Sequence, residues 1–547
     1  MLDIVANGIN LQVSKGTTLA EIASMIEDSH PFLVAKIDNI ILELHRTVDR
    51  NCVITFLDLT SEIGYRVYQR SLVFVMILAV REILGREMRV VVEHSINKNY
   101  YCEILEDDIV LTNEILTRIN NKMQEILDAD MPIIKESFFL EDGINLAKDM
   151  HLQDKAQLLA YRTTTSVNFY RLDWFYDYFY GPMANRTGAL AKFDLMLKND
   201  GFVLIFPNRQ QPNEFSEVKS LAKISQIFRE SNAWARILKI DTVGALNDKI
   251  CQGQAGEVIR VNEALHEKNV AKLADKVHET GKNVVLIAGP SSSGKTTFSH
   301  RLAVQLRVNG LKPHIISLDD YYVNRDITPL DSFGKPDFES LYAIDIAKFN
   351  EDLNGLLAGE TISMPKFNFL TGTREYKGHF LKMEASDVLV IEGIHGLNPE
   401  LTREISDNTK FKIFISALTQ LNLDDHNRIP AADTRMIRRI VRDSQFRGFD
   451  AKRTIGMWPS VVRGEGENIF PFQDEADFIF NSALVYEMCI LKPYAMPQLF
   501  AINRNDPAYI EASRLLKFLD CFMAIVEKEV PSNSLLREFI GGSCFKA

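Results

Sequence analysis

Hydrophobic and polar positions alternate in short runs over the first sixty residues. DIVANGINLQV, FLVAKIDNIIL and NCVITFLDL read as strands, and GTTLAEIASMIED between them reads as a helix capped at Thr17 or Thr18. That is the pattern of a compact β-grasp-like module. The most apolar stretch, Leu72 to Val80, stops at Arg81 and Glu82, too short to cross a bilayer. Helical spacing returns at Ile227, Phe228, Ala235, Ile237 and Leu238, and a polar helix, EALHEKNVAKLADKVHET, closes at Gly281. Beyond it the period changes. NVVLIA is a continuous apolar run of strand length, GPSSSGKT follows, and TFSHRLAVQLRVNG is an amphipathic helix ending at Gly310. PHIISLDDYYVNR and DVLVIEGIHG supply further strands, and ADTRMIRRIVRD is a basic helix. Past residue 482, ALVYEMCILKPYAMPQLF and LLREFIGGSCF show the apolar spacing of packing helices, with a turn at Gly541 and Gly542 and no assignable chemistry.

The expected organisation is therefore multidomain: an α+β N-terminal half (1–60 and 61–225), a helical connector (226–280), and a C-terminal α/β unit with a parallel sheet (281–547). A length of 547 residues fits several cores. Charged residues at 25% and hydrophobic ones at 46% are ordinary globular usage. A formal charge of -11 disfavours general nucleic-acid binding. Six widely spaced cysteines form no CxxC pair, which fits a reducing, cytoplasmic location, and no basic or apolar leader is readable at the N-terminus.

Strand, GPSSSGKT, helix is the context in which a glycine loop cradles phosphate. Gly289 and Gly294 let backbone N–H groups converge, and Pro290, Ser291, Ser292, Ser293 and Thr297 complete the candidate ATP-binding segment. Lys295 is expected on the β/γ-phosphates and Thr296 on Mg²⁺. The plainer alternative is a glycine turn before an ordinary helix. Asp319, Asp320, Tyr321 and Tyr322 close the next strand, at the edge where such sheets bind ligands. Glu392 closes another. Arg435, Arg438, Arg439 and Arg442 share one helix face, with Met436, Ile437, Ile440 and Val441 opposite.

Taken together, these segments resemble the uridine kinase and phosphoribulokinase family over roughly 283–490. The resemblance implies a kinase that moves the γ-phosphoryl of ATP to the 5′-hydroxyl of a nucleoside. It implies Asp319 as acceptor of the hydroxyl proton and Glu392 as orienter of Mg²⁺ or its waters. It also implies a lid helix over ATP carrying Arg435 and Arg438, with Arg428, Arg447 and Arg453 able to join. The alternatives are a helix-capping aspartate, a plain strand-end glutamate and a solvated arginine face.

On the acceptor side, DFESLYAID aligns so that Glu339, preceded by Phe338, meets ribose hydroxyls, with Asp337 as the alternative. PKFNFLTGTRE resembles the segment that grips a pyrimidine, with Phe367 and Phe369 as stacking rings and Tyr322 close by. Gly372 stands where the family has a histidine, leaving Arg374 as a replacement donor. A sugar-phosphate kinase of the phosphoribulokinase type shares every other part.

The N-terminal half resembles threonyl-tRNA synthetase. "GTTLAEIA", "VAKIDN" and "CVITFLDLTSEIGY" match its TGS module, and "YQRSLVFVMILAVREIL", "NKNYYCEI" and "YFYGPMANRTGALAKFDLM" match its editing domain. Where that family has HxxxH this chain has Arg70 and Phe74, and Phe179 and Met183 replace a Cys and His. No two of the eleven histidines lie four apart, so the resemblance implies a scaffold without its metal. A regulatory GTPase would need a guanine-reading NKxD after residue 296, and none is present; DSFG at 331–334 is a weak DxxG match alone. No cluster of five basic residues before 225 favours a tRNA-binding or ribosome-binding role. The expected partner is a small-molecule nucleoside, with no membrane; assembly into a homo-oligomer stays open.

Overall fold

A computed structural model describes residues 1–105, 109–218, 222–331, 334–368, 370–419 and 421–545. The first sheet has five strands, with Leu2–Ala6 pairing antiparallel to Ile9–Val13 and parallel to Cys52–Leu57. Its helix, Leu19–Ala23, is shorter than the sequence pattern suggests. Thr18 and Glu21 form a reciprocal capping box at its start, and Leu19 and Ile22 pack on Ile4, Ile54 and Phe56.

The apolar run after residue 60 becomes Glu62–Leu84, a helix whose Leu72–Val80 stretch is wholly buried. A four-stranded and a three-stranded antiparallel sheet surround it. Among the described residues no helix is long and apolar enough to cross a membrane. Arg70, Phe74, Phe179 and Met183 do meet. Phe74 and Phe179 rings are 5.5 Å apart, Arg70 donates to Pro182 O at 2.7 Å, and Ser71 Oγ lies 3.9 Å from Met183 Sδ. These four positions form an apolar plug with one arginine and hold neither histidine nor cysteine.

Three helices, Ala222–Leu238, Val243–Cys251 and Ala255–Thr280, lead to the second half, the last closing on Gly281 at φ +66°. The C-terminal sheet is all parallel, in the order Lys312–Ser317, Asp387–Glu392, Val284–Ala288, Lys410–Ser416, Phe478–Asn481. Its three middle strands are almost wholly buried, which accounts for their unbroken apolar runs. Val284–Ala288 lies at the centre, so the loop after it opens between the ends of its two neighbours. A separate hairpin pairs Ile362–Asn368 with Thr373–Leu381. All six cysteines are free.

Candidate active site

The loop at 289–296 leaves the central strand tightly. A Cβ on Gly289 would sit 2.0 Å from Ile415 O, so only glycine fits; Ser292 and Gly294 take φ of +60° and +89°. The turn delivers the chain to the N-terminus of Lys295–Val308, whose first amides have no partner within the helix and point the way an anion would approach. Lys295 Nζ folds back on Gly289 O at 3.0 Å and Pro290 O at 3.3 Å. The hydroxyls of Ser292 and Ser293 are buried with no hydrogen-bond partner among the described residues. Buried polar groups rarely stay unpaired, and phosphate oxygens would satisfy them.

Carboxylates gather opposite the loop. Glu392 Oε1 accepts from Ser317 Oγ at 3.1 Å and Thr296 Oγ1 at 3.4 Å. Burial, and then Asp319, push its pKa up to about 7 against the pull of Lys295. Asp319 is half-buried, and among the described residues its carboxylate has no hydrogen bond; its charge acts on Glu392, Glu339, Tyr322 and Arg447. Its neighbour Asp320 is turned away to accept from Phe367 N at 3.1 Å. The oxygen-only donors of Thr296, Glu392 and Asp319 are the kind that suit a hard divalent ion such as Mg²⁺.

The arginine helix, Ala431–Phe446, is buried on both faces, so the solvated-face alternative falls. Arg435 forms a buried pair with Glu465 and donates to Ser291 O at 3.2 Å. Arg438 binds Glu487 at 2.6 Å and donates to Ser482 O at 2.8 Å and Ser292 O at 3.3 Å. Arg439 donates to Ser291 Oγ at 3.0 Å. Arg442 turns to Asp443. Distant carboxylates and loop carbonyls neutralise the repulsion that the spacing alone implies.

On the acceptor side, burial raises Glu339 to about 7, with Arg439 and Lys295 opposing the rise. Gly464 leaves room for it: a Cβ there would lie 2.3 Å from Glu339 Cβ. Asp337 is engaged locally, accepting from Glu339 N at 3.1 Å. Tyr322 stands edge-on to Phe367, ring centroids 5.7 Å apart, and donates to Phe338 O. Phe338 is itself 40% exposed. Phe369 lies outside the described residues. Arg374 is tied to Asp345 at 2.9 Å, and its other terminal nitrogen is buried without a partner.

Four neighbours escaped the sequence reading. His395 is fully buried beside Lys295 and the Glu339 and Ser340 backbone, and burial lowers it to about 4. Its place three residues after Glu392 in IEGIHG was the available signal. Glu487 and Glu538 come from segments read only as packing, and Glu465 from a stretch to which no chemistry was assigned.

A model of the phosphoribulokinase/uridine kinase family matches residues 284–487. A uridine kinase of Lactobacillus johnsonii is 30% identical over 182 residues, 33% of this chain and 76% of its own. One of Macrococcus caseolyticus is 29% identical over 197 residues, 36% of this chain and 86% of its own. A solved structure described as a "Possible Uridine Kinase" from Bacillus stearothermophilus covers 39% of this chain and 98% of its own, at 20% identity and a TM-score of 0.27.

Proposed function

We propose, for a chain that belongs to the phosphoribulokinase/uridine kinase family and is a phosphotransferase, that it phosphorylates the 5′-hydroxyl of a nucleoside from ATP. The observation that carries this reading is the convergence of Lys295, Thr296, Glu392 and Asp319 at one sheet edge, below a loop with two orphaned buried hydroxyls. The nucleoside acceptor is supported by the uridine kinases that the chain resembles.

In this reading residues 289–297 bind the triphosphate, the amides and Lys295 facing its oxygens. Magnesium, held by Thr296 and Glu392 partly through water, would neutralise charge between the β- and γ-phosphates. Asp319, whose carboxylate has no hydrogen bond among the described residues, accepts the proton of the attacking hydroxyl. Glu339 receives the sugar hydroxyls, Tyr322 and Phe367 wall the pocket, and Phe338 and Phe369 flank it. Arg435 and Arg438 close over the phosphates once they exchange their carboxylate partners. Phosphoryl transfer asks mainly for such positioning and charge.

A nucleoside panel with ATP, followed by ADP release, tests the assignment. Asp319→Asn should lower kcat by about 10²–10⁴ while leaving nucleotide affinity nearly intact, and Lys295→Ala should weaken both. Turnover surviving both changes defeats the roles. A sugar-phosphate acceptor is the second reading, favoured because Asp345 holds one terminal nitrogen of Arg374, leaving only the buried other one as a donor toward a base edge. We assign 281–547 to the kinase, 226–280 to a connector, and 1–60 and 61–225 to a TGS-like and an editing-like scaffold without metal chemistry. The location proposed is the cytoplasm.

A further inference from the structure

The phosphate loop is already occupied by groups of the chain itself. Glu538 Oε2 accepts from Thr297 N at 3.0 Å, and Glu465 Oε1 accepts from Ser291 N at 3.1 Å. Both donors belong to the set that a triphosphate would use, and a carboxylate and a phosphate oxygen cannot share one N–H without severe repulsion.

Glu538 is not a stray side chain. It lies in Arg537–Ile540, within a segment laid across the loop: Leu535 is the nearest side chain to Gly294, at 3.7 Å from a Cβ built there, and Phe545 stacks on His300 with centroids 5.3 Å apart. Phe539 lies under the Arg438 guanidinium, 5.1 Å away, and Gly541 abuts Gln445 and Phe446. The same segment therefore touches the phosphate loop and the arginine helix. Glu538 also adds negative charge at Glu392, opposing the charged form of that carboxylate where a cation is wanted.

We propose that residues 534–545 form an autoinhibitory strap, with Glu538 as an internal stand-in for a nucleotide phosphate. Binding of ATP then requires the strap to swing away, freeing Thr297 N and loosening Phe539 from Arg438. The proposal rests on the reading of 289–296 as a phosphate loop. Where only a small fraction of molecules is open, apparent affinity is reduced by that fraction. Leu535 and Phe539 are core residues, so deleting the strap risks unfolding the protein; the change to test is Glu538→Gln, which keeps the shape and removes the charge.

Calorimetry of the full chain with a non-hydrolysable ATP analogue and Mg²⁺ should show Glu538→Gln binding about tenfold more tightly than the parent. Relief of charge alone would do part of this, so hydrogen exchange in the parent protein is the second readout. Amides of 535–541 should lose protection about tenfold or more when the analogue is added. Unchanged or increased protection, or weaker binding by the variant, overturns the strap while leaving the kinase reading standing. No binding by either protein overturns the phosphate loop and the strap together.

Discussion

Glu392 ends a strand in which every side chain is buried, so its carboxylate leaves water without a full partner. Its pKa rises from 4.5 to about 7. Between those values the folded chain binds a proton that the unfolded chain has released, so the group lowers stability as pH rises through that window. Glu392→Gln should therefore stabilise the metal-free protein at pH 8, by at most about 3 kcal/mol, and change little at pH 4.5. Thermal unfolding at the two pH values checks this. The same variant should lose the magnesium dependence of nucleotide binding, because an amide is a weak ligand for a hard cation. Equal Tm shifts at both pH values would mean the effect is packing rather than charge.

Among elements, the phosphate loop and the arginine helix show what a sequence exposes and what it hides. Strand, loop and helix around 289–296 were legible because the apolar run, Gly289 and Gly294 are local signals. The spacing of Arg435, Arg438, Arg439 and Arg442 puts them on one helix face; the first three meet the phosphate loop and Arg442 turns to Asp443. Their burial was not legible, because Glu465 and Glu487 lie 30 and 49 residues further along the chain. Glu538 was hidden for the same reason, in a segment whose pattern spoke only of packing. Charge at this depth has a consequence for stability. Arg438→Met leaves Glu487 buried and unpaired and should cost about 3–5 kcal/mol, whereas Arg442→Ala, whose partner Asp443 keeps Arg439, should cost under about 1 kcal/mol. Denaturant unfolding of both variants gives the comparison; similar losses would refute the burial argument.

Across the whole molecule the two halves are joined by buried charge at the loop that feeds the arginine helix. Lys155 Nζ meets Asp424 at 2.7 Å and Asp177 at 2.9 Å, all fully buried, and His426 Nδ1 lies 2.7 Å from Asp177. Arg89 binds Asp425, and Val92 N donates to Asp425 O at 2.8 Å. A second tie runs from Arg66 through Glu511 and Arg514 to Asp433, in the first turn of the helix. Pairs separated by some 250 residues leave no periodic trace, so the sequence suggested a scaffold joined by a connector rather than one interlocked with the kinase. An uncompensated buried charge costs far more than a lost surface pair. Lys155→Met should therefore destabilise the full chain by 3 kcal/mol or more, on the order expected for a broken buried pair, and both halves should melt earlier together. Adding Asp424→Asn should recover part of the loss, since one of the two stranded carboxylates is then neutral. Differential scanning calorimetry distinguishes the outcomes: one transition shifted downward supports the interlock, whereas two transitions with only one shifted would show halves that unfold independently.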